Sequence, residues 1–328
     1  MKQKREDKKV DKSIEFDTID LTMQPIPPRS RLFHLEPVGV GTPYVESLTS
    51  YLIRLAQEHS VTVSSLIIKL LDRSFEKEKN RFLFANSHLA NGHAPKVKET
   101  VRILEQYTLR KDLRFLSMIN WSAVIASRNM FKYEKAWCPL CFEEMQNSGI
   151  VYEPLIWAFN DVLMCNKHNI KLYQKCPFCS KELSFLHKKV RPGYCYKCGS
   201  WLGVKQTISR DYLNIEELKW QNFVVSTLVE MLTYTPKIQE PLRLNNLSDL
   251  LLRSSDELKM SINDFSRTYN LRNLVKVLEG KRPNIRSLLK ISFCLGVSVV
   301  DIFTKDLNEL SIKKIKPPIE AILPPGKY

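Results

Sequence analysis

Residues 165–179 read CNKHNIKLYQKCPFC: a C-x-x-H, a basic and apolar spacer, then a C-x-x-C. A two-residue gap lets a tight turn aim both side chains at one ion, and zinc takes four such ligands tetrahedrally. Each pair is therefore half of a site. The other halves flank the stretch, as Cys138-Pro-Leu-Cys141 upstream and Cys195-Tyr-Lys-Cys198 downstream. Sequential pairing predicts one set of Cys138, Cys141, Cys165 and His168 and a second of Cys176, Cys179, Cys195 and Cys198, each like a zinc ribbon. Interleaved pairing, first knuckle with third and second with fourth, is the cross-brace alternative; it requires the two loops to thread, so the sequential order is preferred. Redox use of C-x-x-C expects a βαβ pattern, which is missing, and catalytic zinc needs an open position, whereas both sets are full. The cofactor expectation is two structural Zn2+.

Composition points to the partner class. The 328 residues allow two to three domains, and 50 Lys+Arg against 35 Asp+Glu give a formal charge of +15. Seven thiolates on two Zn2+ lower this to about +12, still basic enough to favour nucleic acid. The opening MKQKREDKKVDK is charged, and no apolar run is long enough to cross a bilayer. The expectation is a cytoplasmic protein, nucleoid-associated when bound to DNA, with no membrane partner. Cys294, alone in LLKISFCLG, is expected in the core.

The periodicity predicts a mainly α, multidomain chain. Residues 1–42 read as a flexible or extended arm, 43–135 as an N-terminal helical domain, 136–204 as the tandem zinc module, and 205–328 as a C-terminal helical domain with an extended tail. Thr42 is a candidate N-cap and Pro43 a first helical residue, ahead of an apolar face of Leu48, Tyr51, Leu52, Leu55 and Ala56. LAQEHSVTVSSLI follows the L-A-x-x-x-G-V-x-x-x-x-L order of a helix-turn-helix, with Ser60 where Gly is usual.

The segment FSRTYNLRNLVKVLEGKRPNIRSLLKISFCLGVSVVDIF resembles the lambda-repressor-like helix-turn-helix domains. Phe265 to Asn270 gives a helix and turn, Leu271 to Leu278 the recognition-type helix, Gly280 a C-cap, Asn284 an N-cap for a helix closing at Gly296, and Ser298 the cap of the last. Arg272, Asn273 and Lys276 are then the candidates for nucleic-acid or effector binding, flanked by Lys281, Arg282 and Arg286. The same fold also serves as a protein-docking surface.

GTPYVESLTSYLIRLAQEHSV is similar to an E-S-L-x-S-[YW]-L-x-R-L-A start, and WAFNDVLMCNKHNIKLYQKCPFC to a W, C-x-x-H-x-x-x-L, C-P-x-C signature. Together they resemble the TniQ/TnsD family of transposon target-selection proteins over about residues 43 to 200. The resemblance implies a non-enzymatic adaptor that recognises a target and recruits a AAA+ transposition ATPase of the TnsC type. In one branch the member binds a fixed DNA site itself. In the other it rides on a Cascade-like CRISPR effector complex with its guide RNA, and members of that branch can work as dimers; the chain's length favours this branch. A stand-alone transcription regulator is the alternative from another class. The region from Glu46 to Leu71 is the expected partner-docking element, with Glu46, Tyr51 and Arg54 as contacts. No phosphate loop, G-x-S-x-G or acidic Mg2+ set is present, so no catalytic residue is expected. His34, His59, His88, His93 and His187 lack ligand spacing and read as surface or capping groups.

Overall fold

The computed structural model describes residues 29–71, 86–203, 215–269, 271 and 274–310. Over these the chain is mainly helical, as its periodicity predicts, and most of the apolar side chains join one continuous core running from Val45 to Leu310.

Two helices, α1 (Leu48–Glu58) and α2 (Val63–Leu71), open the helical part. Ser47 caps α1, its Oγ accepting from Ser50 N at 3.2 Å. The expected start at Thr42 and Pro43 is thus corrected by five residues. Thr42 instead donates its hydroxyl to Gly39 O at 2.7 Å in a turn, and Glu46 pairs in extended form with Pro154, so helix cannot begin until that bridge ends. Ser60, in the turn between α1 and α2, has φ +52°, the left-handed conformation for which Gly is the usual choice. Of the expected N-terminal arm, residues 31–35 lie on the helices: Arg31 N and Leu32 N donate to Tyr107 O, and Leu35 O accepts from the Tyr51 hydroxyl. Residues 1–28 lie outside the described residues, as does the tail from 311.

α3 (Pro95–Thr108) and short 3-10 turns at Leu113–Leu116 and Ile119–Trp121 complete the N-terminal layer. α4 (Pro139–Ser148) begins directly on the first cysteine knuckle, and the hairpin β1 (Met164–Cys165) and β2 (Ile170–Lys171) carries the second. The long α5 (Ile215–Tyr234) leads to α6 (Asn245–Glu257), α7 (Ile262–Thr268), α8 (Leu274–Leu278), α9 (Ile285–Leu295) and α10 (Val299–Thr304). The C-terminal caps match their expected residues: Asn284 Oδ1 accepts from Ser287 N at 2.8 Å, Ser298 Oγ from Val300 N at 3.1 Å, and Gly280 and Gly296 adopt positive φ. Asn270, the expected turn residue, lies outside the described residues. Cys294 is fully buried, and burial pushes its thiol up to about 11. Among the described residues no helix is long and apolar enough to cross a membrane.

The expected boundary near residue 135 is bridged by backbone pairing. Lys132 N donates to Ala158 O, Ser47 N to Glu153 O, and Leu155 N to Val45 O. The loop 157–163 then joins the N-terminal layer to the C-terminal helices. Lys132 Nζ, fully buried, donates to Trp157 O (3.1 Å), Val162 O (2.7 Å) and Phe159 O. Gln221 on α5 clasps the same loop, donating to Asp161 O at 3.1 Å and accepting from Leu163 N at 2.8 Å. Arg286 Nε on α9 meets the buried Asp161 carboxylate at 2.5 Å.

Candidate metal centres

The four knuckles converge in sequential order. Cys138, Cys141, Cys165 and His168 form one group and Cys176, Cys179, Cys195 and Cys198 the other, with all ligand atoms of each within 4.8 Å of one another. The cross-brace alternative is thereby excluded.

Local backbone geometry explains the convergence. In three knuckles the N–H of the fourth residue past the first Cys returns to that Cys carbonyl: Asn169 to Cys165 (2.8 Å), Ser180 to Cys176 (2.8 Å) and Gly199 to Cys195 (2.7 Å). All three residues sit at positive φ, which closes the loop and turns both ligands inward. The first knuckle is different. Pro139 starts α4 with its missing N–H harmless at the first helical position, and Phe142 N returns to Cys138 O.

The spacings fit a tetrahedral zinc. With Zn–S near 2.3 Å, sulfur ligands should stand about 3.8 Å apart, whereas a disulfide would bring them to about 2.0 Å. Cys141 and Cys165 Sγ are 3.6 Å apart, as are Cys176–Cys198 and Cys179–Cys195 at 3.7 Å. His168 offers Nδ1, which lies 3.2 to 3.7 Å from the three sulfurs of its group. Its other nitrogen, Nε2, faces Glu144 Oε1 at 3.1 Å. That is the carboxylate–histidine arrangement that fixes a ligand ring's tautomer and orientation. Sequence reasoning missed Glu144; its only signal was an acidic residue on the helix following C-P-x-C. These residues would hold two Zn2+ in closed shells, where the metal would supply folding free energy rather than a reacting ligand position.

The two groups are locked together through Trp201. Its indole packs on Phe142 of α4 at 5.9 Å between centroids, and its Nε1 donates to Glu143 Oε2 at 3.1 Å. The ring occupies the space above Gly193, where an added Cβ would come within 2.2 Å of it, so only glycine fits there.

Several expected binding residues have other duties. Glu46 and Tyr51 are completely buried, and Arg54 is 13% exposed. Glu46 receives Arg54 Nη1 at 2.5 Å, the Ser50 hydroxyl at 2.8 Å and Val38 N at 3.2 Å. Burial raises its carboxyl pKa and Arg54 opposes the rise. These three expected docking residues are therefore corrected to a buried brace of the first helix. Arg286 is corrected likewise, since its pairing with Asp161 pins the C-terminal helices to the loop 157–163, whereas Arg282 is exposed and donates through Nη1 to Ser122 O at 2.5 Å. Lys276 and Lys281 are exposed, the latter 3.4 Å from Glu279. Arg272 and Asn273 lie outside the described residues. Of the histidines outside the metal groups, His34 Nδ1 contacts Thr108 O and His59 Nε2 accepts from Phe33 N, in capping roles.

The TniQ family model matches residues 37–172, which contain the α1–α2 pair, the Glu46 brace and the whole first ligand group. No curated protein matches the chain.

Proposed function

We propose, from the TniQ domain that spans residues 37–172, that the chain serves transposon target-site selection as a non-enzymatic adaptor. It links a target-bound complex, a Cascade-like RNA-guided effector with its guide RNA, to the AAA+ ATPase that brings the transposase. The observation that carries the reading is the match over residues 37–172. It is supported by two complete ligand groups with no open position and by a helical, basic remainder. Two Zn2+ would stiffen the middle of such an adaptor, and the pins at Asp161 and Ser122 hold its C-terminal helices at a fixed distance from the TniQ domain. Lys276, with Arg272, is the candidate contact to DNA or to the effector.

The test is enrichment of genomic fragments by the purified protein at physiological salt, with and without the effector. Retention of the guide-matched locus only when the effector is present supports the adaptor. One locus enriched by the protein alone would instead make it a direct, fixed-site DNA reader. Loss of retention in Arg272→Ala/Lys276→Ala, with zinc content intact, would assign the contact to α8.

A further inference from the structure

The turn between α1 and α2 faces the loop 187–191 of the second ribbon across a groove of about 440 Å³. One wall presents the neutral hydrogen-bonding side chains Gln57, Ser60 and Thr62 together with exposed Val61; the other presents Lys188, Lys189 and Arg191; and the floor is apolar. Among the described residues no acidic side chain lines it. The three cations are exposed, and among the described residues none forms an ion pair. Arg191 is instead held over the Tyr194 ring at 4.9 Å. Exposed Lys197 of the same ribbon adds to this charge, standing with Lys188 and Lys189 around His187 at the edge of the groove.

Leaving three cations unpaired at a groove mouth keeps their mutual repulsion uncompensated in the free protein. An anionic occupant removes it. The opposite wall narrows the choice, because hydroxyl and amide side chains beside Lys and Arg are the groups that contact phosphate oxygens without reading bases. Several cations spread along an open groove mouth suit a polymer of many charges better than a single small anion. We propose that this groove binds the sugar–phosphate backbone of duplex DNA independently of sequence. The contact therefore belongs to the helix pair and the second ribbon, not to α8, and it stands on the groove alone, whether or not the adaptor reading holds.

The test uses the full-length, zinc-loaded chain and a random-sequence 20-base-pair duplex, with affinity measured by fluorescence anisotropy over a salt series. Each phosphate contact by Lys or Arg adds roughly 0.9 to the slope of log affinity against log salt. Lys188→Ala/Lys189→Ala/Arg191→Ala should lower that slope by about 2 to 3 and weaken binding roughly 100-fold at 0.1 M salt. A wild-type slope in the triple variant overturns the proposal. So does absence of wild-type duplex binding at low salt, or tighter groove-dependent binding of single-stranded RNA or an acidic peptide than of the duplex. A second measurement avoids mutation: acetylation footprinting of the unaltered protein should show Lys188 and Lys189 protected by the duplex, and unchanged reactivity of both counts against the groove. Arg272→Ala/Lys276→Ala serves as the contrast, because losing effector-dependent retention there while keeping the groove-dependent slope separates the two readings.

Discussion

Lys132 is the most exacting test of how the fold is held. Its ammonium is fully buried, with three backbone carbonyls as acceptors and Asp161 as the nearest opposing charge. Burial lowers its pKa from 10.5 to about 7, and Asp161 only partly resists. An unfolded chain keeps the ordinary value near 10.4. Between these values the unfolded state binds more protons than the folded one, so stability must rise with pH. For a single group moving from about 10.5 to about 7, the linkage relation gives a gain of roughly 2 kcal/mol between pH 7 and pH 9. Lys132→Met keeps the length of the side chain and removes the titration. Urea unfolding of both proteins at the two pH values isolates the effect, since other titrating groups cancel in the difference. The stability of wild type relative to Lys132→Met should increase by about 2 kcal/mol from pH 7 to pH 9. A difference that stays constant to within about 0.5 kcal/mol would mean that the three carbonyls outweigh burial and keep the ammonium charged throughout, refuting the reasoning.

Cys138→Ser or Cys176→Ser should each release one zinc and unfold its ribbon, because a structural site supplies on the order of 10 kcal/mol; metal content by atomic absorption and the melting profile report it, and two retained zincs would contradict the ligand assignment. Glu46→Gln should cost about 3 kcal/mol in urea unfolding, since it leaves a nearly buried Arg54 without its carboxylate; an unchanged midpoint would show that the brace is dispensable. Asp161→Asn and Arg286→Ala should show a coupling of roughly 1 to 2 kcal/mol in a double-mutant cycle while leaving duplex affinity unaltered, and a loss of affinity in Arg286→Ala alone would return that residue to a binding role.

What the sequence disclosed follows the range of the interactions concerned. The eight ligands were legible because each knuckle is closed by a hydrogen bond spanning four residues, and the pairing order followed from loops that need not cross. The caps at Asn284 and Ser298 are equally local. Glu46 misled because its motif also reads as the exposed start of an amphipathic helix. Its true setting had a faint local signal: Glu46, Ser50 and Arg54 offer a carboxylate, a hydroxyl and a guanidinium within nine residues, close enough to meet where the chain turns into α1. Arg282 and Arg286 offered no such clue. Their partners, Ser122 and Asp161, are 160 and 125 residues away in sequence, and a basic residue beside a helix-turn-helix pattern looks the same whether it awaits a phosphate or already holds an aspartate.

That ambiguity bears on where nucleic acid is met. A cation committed to a buried carboxylate must break that contact before it can neutralise a phosphate, and the penalty of re-exposing Asp161, 2% accessible, would be charged against binding. Lys188, Lys189 and Arg191 face no such penalty, because among the described residues no acidic group pairs with them. The cations free of such a commitment are thus Lys188, Lys189 and Arg191 on the second ribbon, with Lys276 on α8. Since Trp201 ties that ribbon to α4 while Lys132 and Arg286 tie the neighbouring loop to both ends of the chain, DNA seated in the groove would be held at a set distance and angle from every other face. A rigid body of that kind transmits position, which is what a target selector has to supply.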